Sequence, residues 1–430
     1  MIWDRRLGSL LCLLTLPGCI PSLEGTRSFA LLTADASWRA PEVTSSQAVS
    51  IADWNGDGFP DLAFAGAIDD EDIAPLPNLL YESVGDGSYV LVWESPEVEL
   101  SFGLAWADMD GDGDPDLAVA NEEAPDRVYE NVGGDLVALW AADTDEASFD
   151  VAWGDVDGDG DPDLATASID GGNQIYKNVD GILDTEPWWT APHGEETASI
   201  AWTDVDGDGD LDLACANEDG PNRLYMNEDG SMESAWLSDE DETTLGLAVG
   251  DLDADGWPDL AVVNEFSGVS VYRNEEGVLS TSVSWAQTTD ADINSDDVAW
   301  GDINGDGLED LIVVGQERDR IWINEGDLSF VTEWTSENEE ASSGVDVADL
   351  DADGDLEIVV AIGNRADAVF DNPTGGGWAD RDDDDQAPIE EGCNCSHEDA
   401  GRPSPLLALT FVLISGARRR RRGQPASASQ

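Results

Sequence analysis

Residues 155–164 read DVDGDGDPDL, five aspartates alternating with valine, glycine and proline. Carboxylates at the first, third, fifth and ninth positions of such a loop converge on one hard cation when the chain folds back on itself. Gly158 and Gly160 supply the backbone freedom for that fold-back. Seven loops of this kind begin at Asp53, Asp108, Asp155, Asp204, Asp251, Asp302 and Asp349, at intervals of 55, 47, 49, 47, 51 and 47 residues. The chemistry implied is oxygen-ligated capture of a divalent cation, repeated along the chain. The plainer alternative is a set of solvated acidic turns without metal.

Short strands must position these loops. Between Trp140 and Asn178 one unit is legible: an apolar strand LVALWAA, a second at 151–154 that runs into the loop, a third at 164–167 that leaves it, and a fourth, NQIYKN. Four short strands per unit of about 48 residues is a propeller-blade period. The last strand recurs at 224–227, 271–274, 321–324 and 369–372, each with an aromatic two positions before Asn, as a period-2 strand ending in a turn would show. Trp38, Trp93, Trp140, Trp189, Trp236 and Trp334 each lie 15 residues before the first Asp of a loop, and Trp285 lies 17 before Asp302, an insertion of two. No matching Trp strand follows Asn372, so the segment around Trp38 is expected to complete the last blade. The fold expected is all-β: a seven-bladed propeller of four-stranded antiparallel blades over residues 29–372, closed by an N-terminal strand. A second aromatic set, Trp106, Trp153, Trp202 and Trp300, exchanges with Ile51, Val249 and Val347, which reads as packing between blades.

The chain has 430 residues, 95 acids against 18 Lys and Arg, and a formal charge of −77, with Lys177 its single lysine. Nucleic acid and anionic lipid are repelled by such a body, and cations are its natural partners. Cys215 alone falls within the repeats, which excludes a disulfide scaffold and marks it as a small buried hydrophobe. Residues 1–18, with Arg5 and Arg6 ahead of an apolar run, read as an export signal; Cys19, after Leu-Pro-Gly, resembles a lipobox cysteine, with ordinary cleavage nearby as the alternative. Residues 373–392 read as a solvated, disordered acidic linker. Residues 393–422 carry Cys393 and Cys395, an apolar helix at 406–417 and an arginine block at 418–422, before a tail at 423–430. Twelve apolar residues rise only about 18 Å as a helix, short of a hydrocarbon core of roughly 30 Å.

Each loop matches D-x-[DN]-x-D-G-x-x-[DE], and on that motif residues 29–372, about 80% of the chain, resemble the FG-GAP/VCBS repeat family. That family includes the calcium-bearing, integrin-like α-chain propellers. The resemblance implies up to seven Ca²⁺. Carried over position by position, the ligands are Asp53, Asn55, Asp57 and Asp61; Asp108, Asp110, Asp112 and Asp116; Asp155, Asp157, Asp159 and Asp163; Asp204, Asp206, Asp208 and Asp212; Asp251, Asp253, Asp255 and Asp259; Asp302, Asn304, Asp306 and Asp310; and Asp349, Asp351, Asp353 and Glu357. The seventh residue of each loop (Phe59, Asp114, Asp161, Asp210, Trp257, Leu308 and Asp355) would offer its backbone carbonyl. The segment 393–422 resembles the C-terminal sorting signal of myxobacterial surface proteins. That implies a sorting protease, an anchor on Cys393 or Cys395, and display on the outer membrane or surface of a Gram-negative bacterium; a plain membrane anchor is the alternative.

The leading functional expectation is an exported, surface-anchored binding or adhesion module for a protein or glycan, working through the face opposite the loops. That face carries irregular segments at 69–77, 193–197 and 318–320. A calcium-dependent lectin, a structural surface protein and a polysaccharide-active enzyme are the other readings. The enzyme reading lacks a nucleophile motif, and only His193 and His397 are available as imidazole bases. No catalytic residue is assigned.

Overall fold

The computed structural model describes residues 32, 35–41, 45–66, 75–144, 147–169, 171–228, 230–287, 294–316, 318–336, 341–363 and 365–372. Residues 1–18, read above as an export signal, Cys19, the segment 373–392, Cys393, Cys395, the apolar run and the arginine block lie outside the described residues.

Seven four-stranded antiparallel sheets form, one per loop, and the described residues contain no helix. In the third blade the innermost strand Ser148–Gly154 pairs with Asp163–Ser168, then Gln174–Tyr176, then Trp189–Thr190 at the outer edge. The innermost strand begins three residues earlier than its apolar core suggests. A β-bulge between Ser148 and Asp150 lets Ser148 pair with Ser168. The same shift recurs at the start of every innermost strand, from Ser46 to Ser342. The strand containing Trp140 is the outer edge of the blade before the one whose loop follows it.

Closure is as expected. Trp38–Arg39 pairs antiparallel with Ala368–Phe370, Trp38 opposite Val369, so the first strand among the described residues is the outer edge of the seventh blade. The innermost strands touch in succession around the ring, and Ser342–Ala348 returns against Ser46–Ala52. Approach there is tight. A Cβ on Gly103 would lie 2.7 Å from the Cα of Asp150 in the next blade. Ala286 and Ser295 bracket a longer passage between blades five and six, which accounts for the two extra residues after Trp285.

Each second strand is buried along its whole length, from Asp61–Gly66 to Glu357–Ile362. The apolar core is therefore split into seven clusters, one at each junction between neighbouring blades. Edge-to-face aromatic pairs repeat across these junctions: Trp38 on Tyr81, Trp93 on Tyr129, Trp140 on Tyr176, Trp189 on Tyr225 and Trp236 on Tyr272, with ring centroids 4.9–5.3 Å apart. Trp106, Trp153 and Trp202 donate their indole N–H groups to Ser50, Ala105 and Ala152 of the preceding blade. Both tryptophan sets thus pack blade against blade. Cys215 is buried in one of these cores, unpaired, and burial pushes its thiol pKa up. His193 is exposed.

Candidate metal centres

Each acidic loop connects the innermost strand of a blade to the second strand, so all seven occupy equivalent turns at one end of the ring. The loop is folded by its own carboxylates. In the third, Asp155 accepts N–H bonds from Asp159 through Oδ1 (3.0 Å) and Gly160 through Oδ2 (2.9 Å), and Asp159 accepts from Asp161 (3.0 Å). Gly158 and Gly160 sit at φ +70° and +100°. In the fifth and seventh loops Ala254 and Ala352 take the left-handed position at φ 56° and 60°, a conformation an L side chain adopts at a cost of roughly 1 kcal/mol.

The four ligand positions differ in burial. The ninth-position acids Asp61, Asp116, Asp163, Asp212, Asp259, Asp310 and Glu357 are all buried. The first-position aspartates are half-buried, and the fifth-position ones are exposed except Asp353. The buried acid clamps its blade. Asp163 accepts from Val156 of the loop (3.0 Å) and from the backbone of Asn178 just past the third strand (2.7 Å). Asp116, Asp212, Asp259, Asp310 and Glu357 accept the equivalent loop N–H. Burial, opposed by these bonds and reinforced by neighbouring carboxylates, raises Asp163 to about 7 and Glu357 to about 8.

Three carboxylates approach to within 4.8 Å of one another in five loops: Asp108, Asp110 and Asp116; Asp155, Asp157 and Asp163; Asp204, Asp206 and Asp212; Asp251, Asp253 and Asp255; and Asp349, Asp351 and Asp353. These clusters can hold metal ions. The first and sixth loops carry Asn55 and Asn304 at the third position, where the amide oxygen turns inward and accepts from Asp57 and Asp306 (2.9 and 2.8 Å). The fit to a hard cation is tested by oxygens that the protein leaves without a partner. Asp108 Oδ1, Asp204 Oδ1, Asp353 Oδ2 and Glu357 Oε1 are buried and accept no hydrogen bond. Glu357 is fully buried. Buried carboxylate oxygens with no donor are costly unless a cation meets them. The donor set, all oxygen, is that of a hard divalent cation.

Two features of the centres were not read as such from the sequence. One is the recurring Asn at the end of the third strand. Asn131, Asn178, Asn227, Asn274, Asn324 and Asn372 each donate Nδ2 to the second residue of the preceding blade's loop, at Trp54, Met109, Val156, Val205, Leu252 and Ile303 respectively (2.6–2.8 Å). Each loop is thus tied to the next blade. The recurrence of Asn was visible; its reach across a junction was not. At the closing junction Ser83 stands in this place and has no amide to give. The other feature is the residue just before that Asn, which in the third and fifth blades is a cation, Lys177 or Arg273, paired with the acidic loop.

The FG-GAP-like repeat family model matches in six overlapping stretches, 53–119, 108–166, 155–215, 204–262, 251–313 and 302–360, each running from one acidic loop through the next blade's second strand. No curated protein matches the chain. Among solved structures, it is similar to BBS1N in complex with ARL6DN, soaked with lead: TM-score 0.55, 16% identity, covering 80% of this chain and 97% of that one. The mercury-soaked crystal of the same complex gives 0.54 and 15%, covering 80% and 96%. A lectin of Agrocybe aegerita that recognises non-reducing terminal N-acetylglucosamine aligns at TM-score 0.48 and 18% identity, over 69% of this chain and 81% of that one. At these identities the likeness concerns the fold. With matched stretches running without a gap from residue 53 to residue 360, the chain belongs to the FG-GAP-like repeat family.

Proposed function

We propose that the protein is an exported, surface-displayed calcium-binding propeller that serves as a binding or adhesion module for a protein or glycan. The observation that carries the calcium reading is the set of buried, donor-less carboxylate oxygens in the loops, above all Glu357 Oε1. Asp53, Asp57, Asp302 and Asp306, with Asn55 and Asn304, complete the first and sixth centres in this reading. All seven ions would lie at one end of the ring and fasten the turns between first and second strands. The opposite end is left to vary: the turn from second to third strand spans Asn264 to Gly268 in the fifth blade and Asn217 to Arg223 in the fourth. A rigid ring that presents variable turns supports recognition over catalysis. That BBS1N is crystallised in complex with ARL6DN is in keeping with a propeller of this shape binding another protein.

Export and anchoring rest on residues 1–18, Cys19, Cys393, Cys395 and the arginine block at 418–422, and on the scarcity of lysine. In the seven loops, 26 of the 28 side-chain ligand positions are acids. That density of carboxylate suits an exterior where calcium is abundant.

The test is capture on glycan arrays and on fractionated cell-surface protein, using the full chain with calcium and again with chelator. Specific capture that chelator abolishes is expected. Loss of calcium with no change in any capture, or no capture under either condition, would refute the module reading and leave a structural surface protein as the better account.

A further inference from the structure

The residue just before the junction Asn, or before Ser83 in the first blade, lies at or just past the end of the third strand. In chain order it is Glu82, Glu130, Lys177, Met226, Arg273, Ile323 and Asp371. In the third blade Lys177 Nζ donates to Asp157 Oδ2 at 2.5 Å in a partly exposed pair, and is steadied 4.2 Å over the Trp188 ring. In the fifth, the Arg273 guanidinium lies 2.5 Å from Asp253 Oδ2 and 3.7 Å from Asp255 Oδ2. That contact is a charge pair without aligned hydrogen bonds: the Asp253 oxygens and Arg273 Nε are buried and accept or donate none. The seventh blade is the reverse. Asp371 Oδ1 is buried without a donor, outside the close cluster of Asp349, Asp351 and Asp353 but near enough for its charge to act on Asp353, whose Oδ2 is also without a donor, and on the fully buried Glu357.

Resting on the calcium reading above, we infer that this one position sets three of the seven centres apart: Lys177 and Arg273 are built-in counter-ions that withhold the third and fifth loops from calcium, and the buried, donor-less Asp371 is an additional ligand that makes the seventh loop the tightest. An ammonium or guanidinium already neutralises part of the loop, and an arriving divalent ion must displace it or bind against its repulsion. At such distances a unit charge changes affinity by about tenfold or more. Met226 and Ile323 leave the fourth and sixth loops with their own carboxylates alone. The ring would therefore fill in stages, with five tight sites (seven loops less the third and fifth) and two that load only at high calcium.

Calorimetric titration of the full chain with calcium, after removal of bound ions, tests this. Lys177→Met and Arg273→Met install the residue that the fourth blade already carries, and each is expected to add one tight site. Met226→Lys is expected to remove one, and Asp371→Asn to weaken the tightest class by about tenfold. Thermal melting in calcium confirms that each variant is folded. Seven equivalent sites in the wild type, or an unchanged number of tight sites in folded Lys177→Met, Arg273→Met and Met226→Lys proteins, would overturn the grading while leaving calcium binding intact. A wild type that binds no calcium would overturn both.

Discussion

An acidic loop in this protein is folded by backbone N–H groups donated to its own carboxylates. Two consequences follow at single residues. Gly160 at φ +100° has no left-handed alternative open to a side chain, so Gly160→Ala should lower stability by about 1–2 kcal/mol, read as the shift in a urea midpoint. Asn178 donates to Met109 and Pro162 carbonyls from a buried position, and Asn178→Ala leaves both without a donor. It should cost about 1–3 kcal/mol in the same assay. Lys177→Met, next to it, should cost far less, because the ion pair it breaks is partly exposed.

Acids on the innermost strands add a pH dependence that is separate from the loops. Asp150 bonds the backbone of Ile200, Asp297 that of Val345 and Asp346 that of Ile51, each reaching the next blade. Burial raises Asp150 and Asp346 to about 6 and Asp297 to about 7, with Asp150 and Asp346 also repelling Asp297. Because the folded values lie above the ordinary 3.8, these groups favour the folded state while protonated. That contribution is complete below about pH 4 and is lost as pH rises through 6–7. In calcium-free buffer the melting temperature should therefore fall between pH 5 and pH 8. Asp297→Gly, which copies Gly103, Gly246 and Gly344 at the same strand position, should make the fall shallower; an unchanged slope would show that Asp297 does not titrate with folding.

At the level of the strand, stability resides in pairs that straddle junctions. Trp140 is buried against Tyr176 of the next blade, with its indole N–H on Asp184, and Trp140→Ala should cost about 3–5 kcal/mol. Trp188, 38% exposed, should cost about 1 kcal/mol or less when replaced by Ala. These element-scale features were largely legible. A period near 48, the Trp spacing of 15 and the period-2 strands are local signals, and they set strand number, blade number and the loops' place within each blade. What was not legible is whatever depends on the neighbouring blade. The reach of Asn178 to Met109 needs the ring's geometry, and the bulge at Ser148 and the pairing of Lys177 with Asp157 need the register of strands within the blade, neither of which a window of sequence contains. The ninth-position acids were read as ligands only. Their second role, as clamps on the third strand, follows from burial that the exposed appearance of an Asp-rich loop conceals.

At the level of the whole ring, closure depends on a strand drawn from the other end of the chain. Trp38–Arg39 is the outer edge of the seventh blade, tied by Ser37 to Val369 and by Ala40 to Asp367. Deleting residues up to 45 should expose the edge of Ala368–Phe370, lower the melting temperature and promote self-association seen in size-exclusion chromatography. At this scale the proposal to test is that the acidic loops are cation-binding fasteners. The most direct measurement is thermal unfolding of the full chain at neutral pH in millimolar calcium and again in excess chelator. The account predicts a large rise in melting temperature with calcium, growing with its concentration as linkage requires. A melting temperature that is the same in both would contradict it.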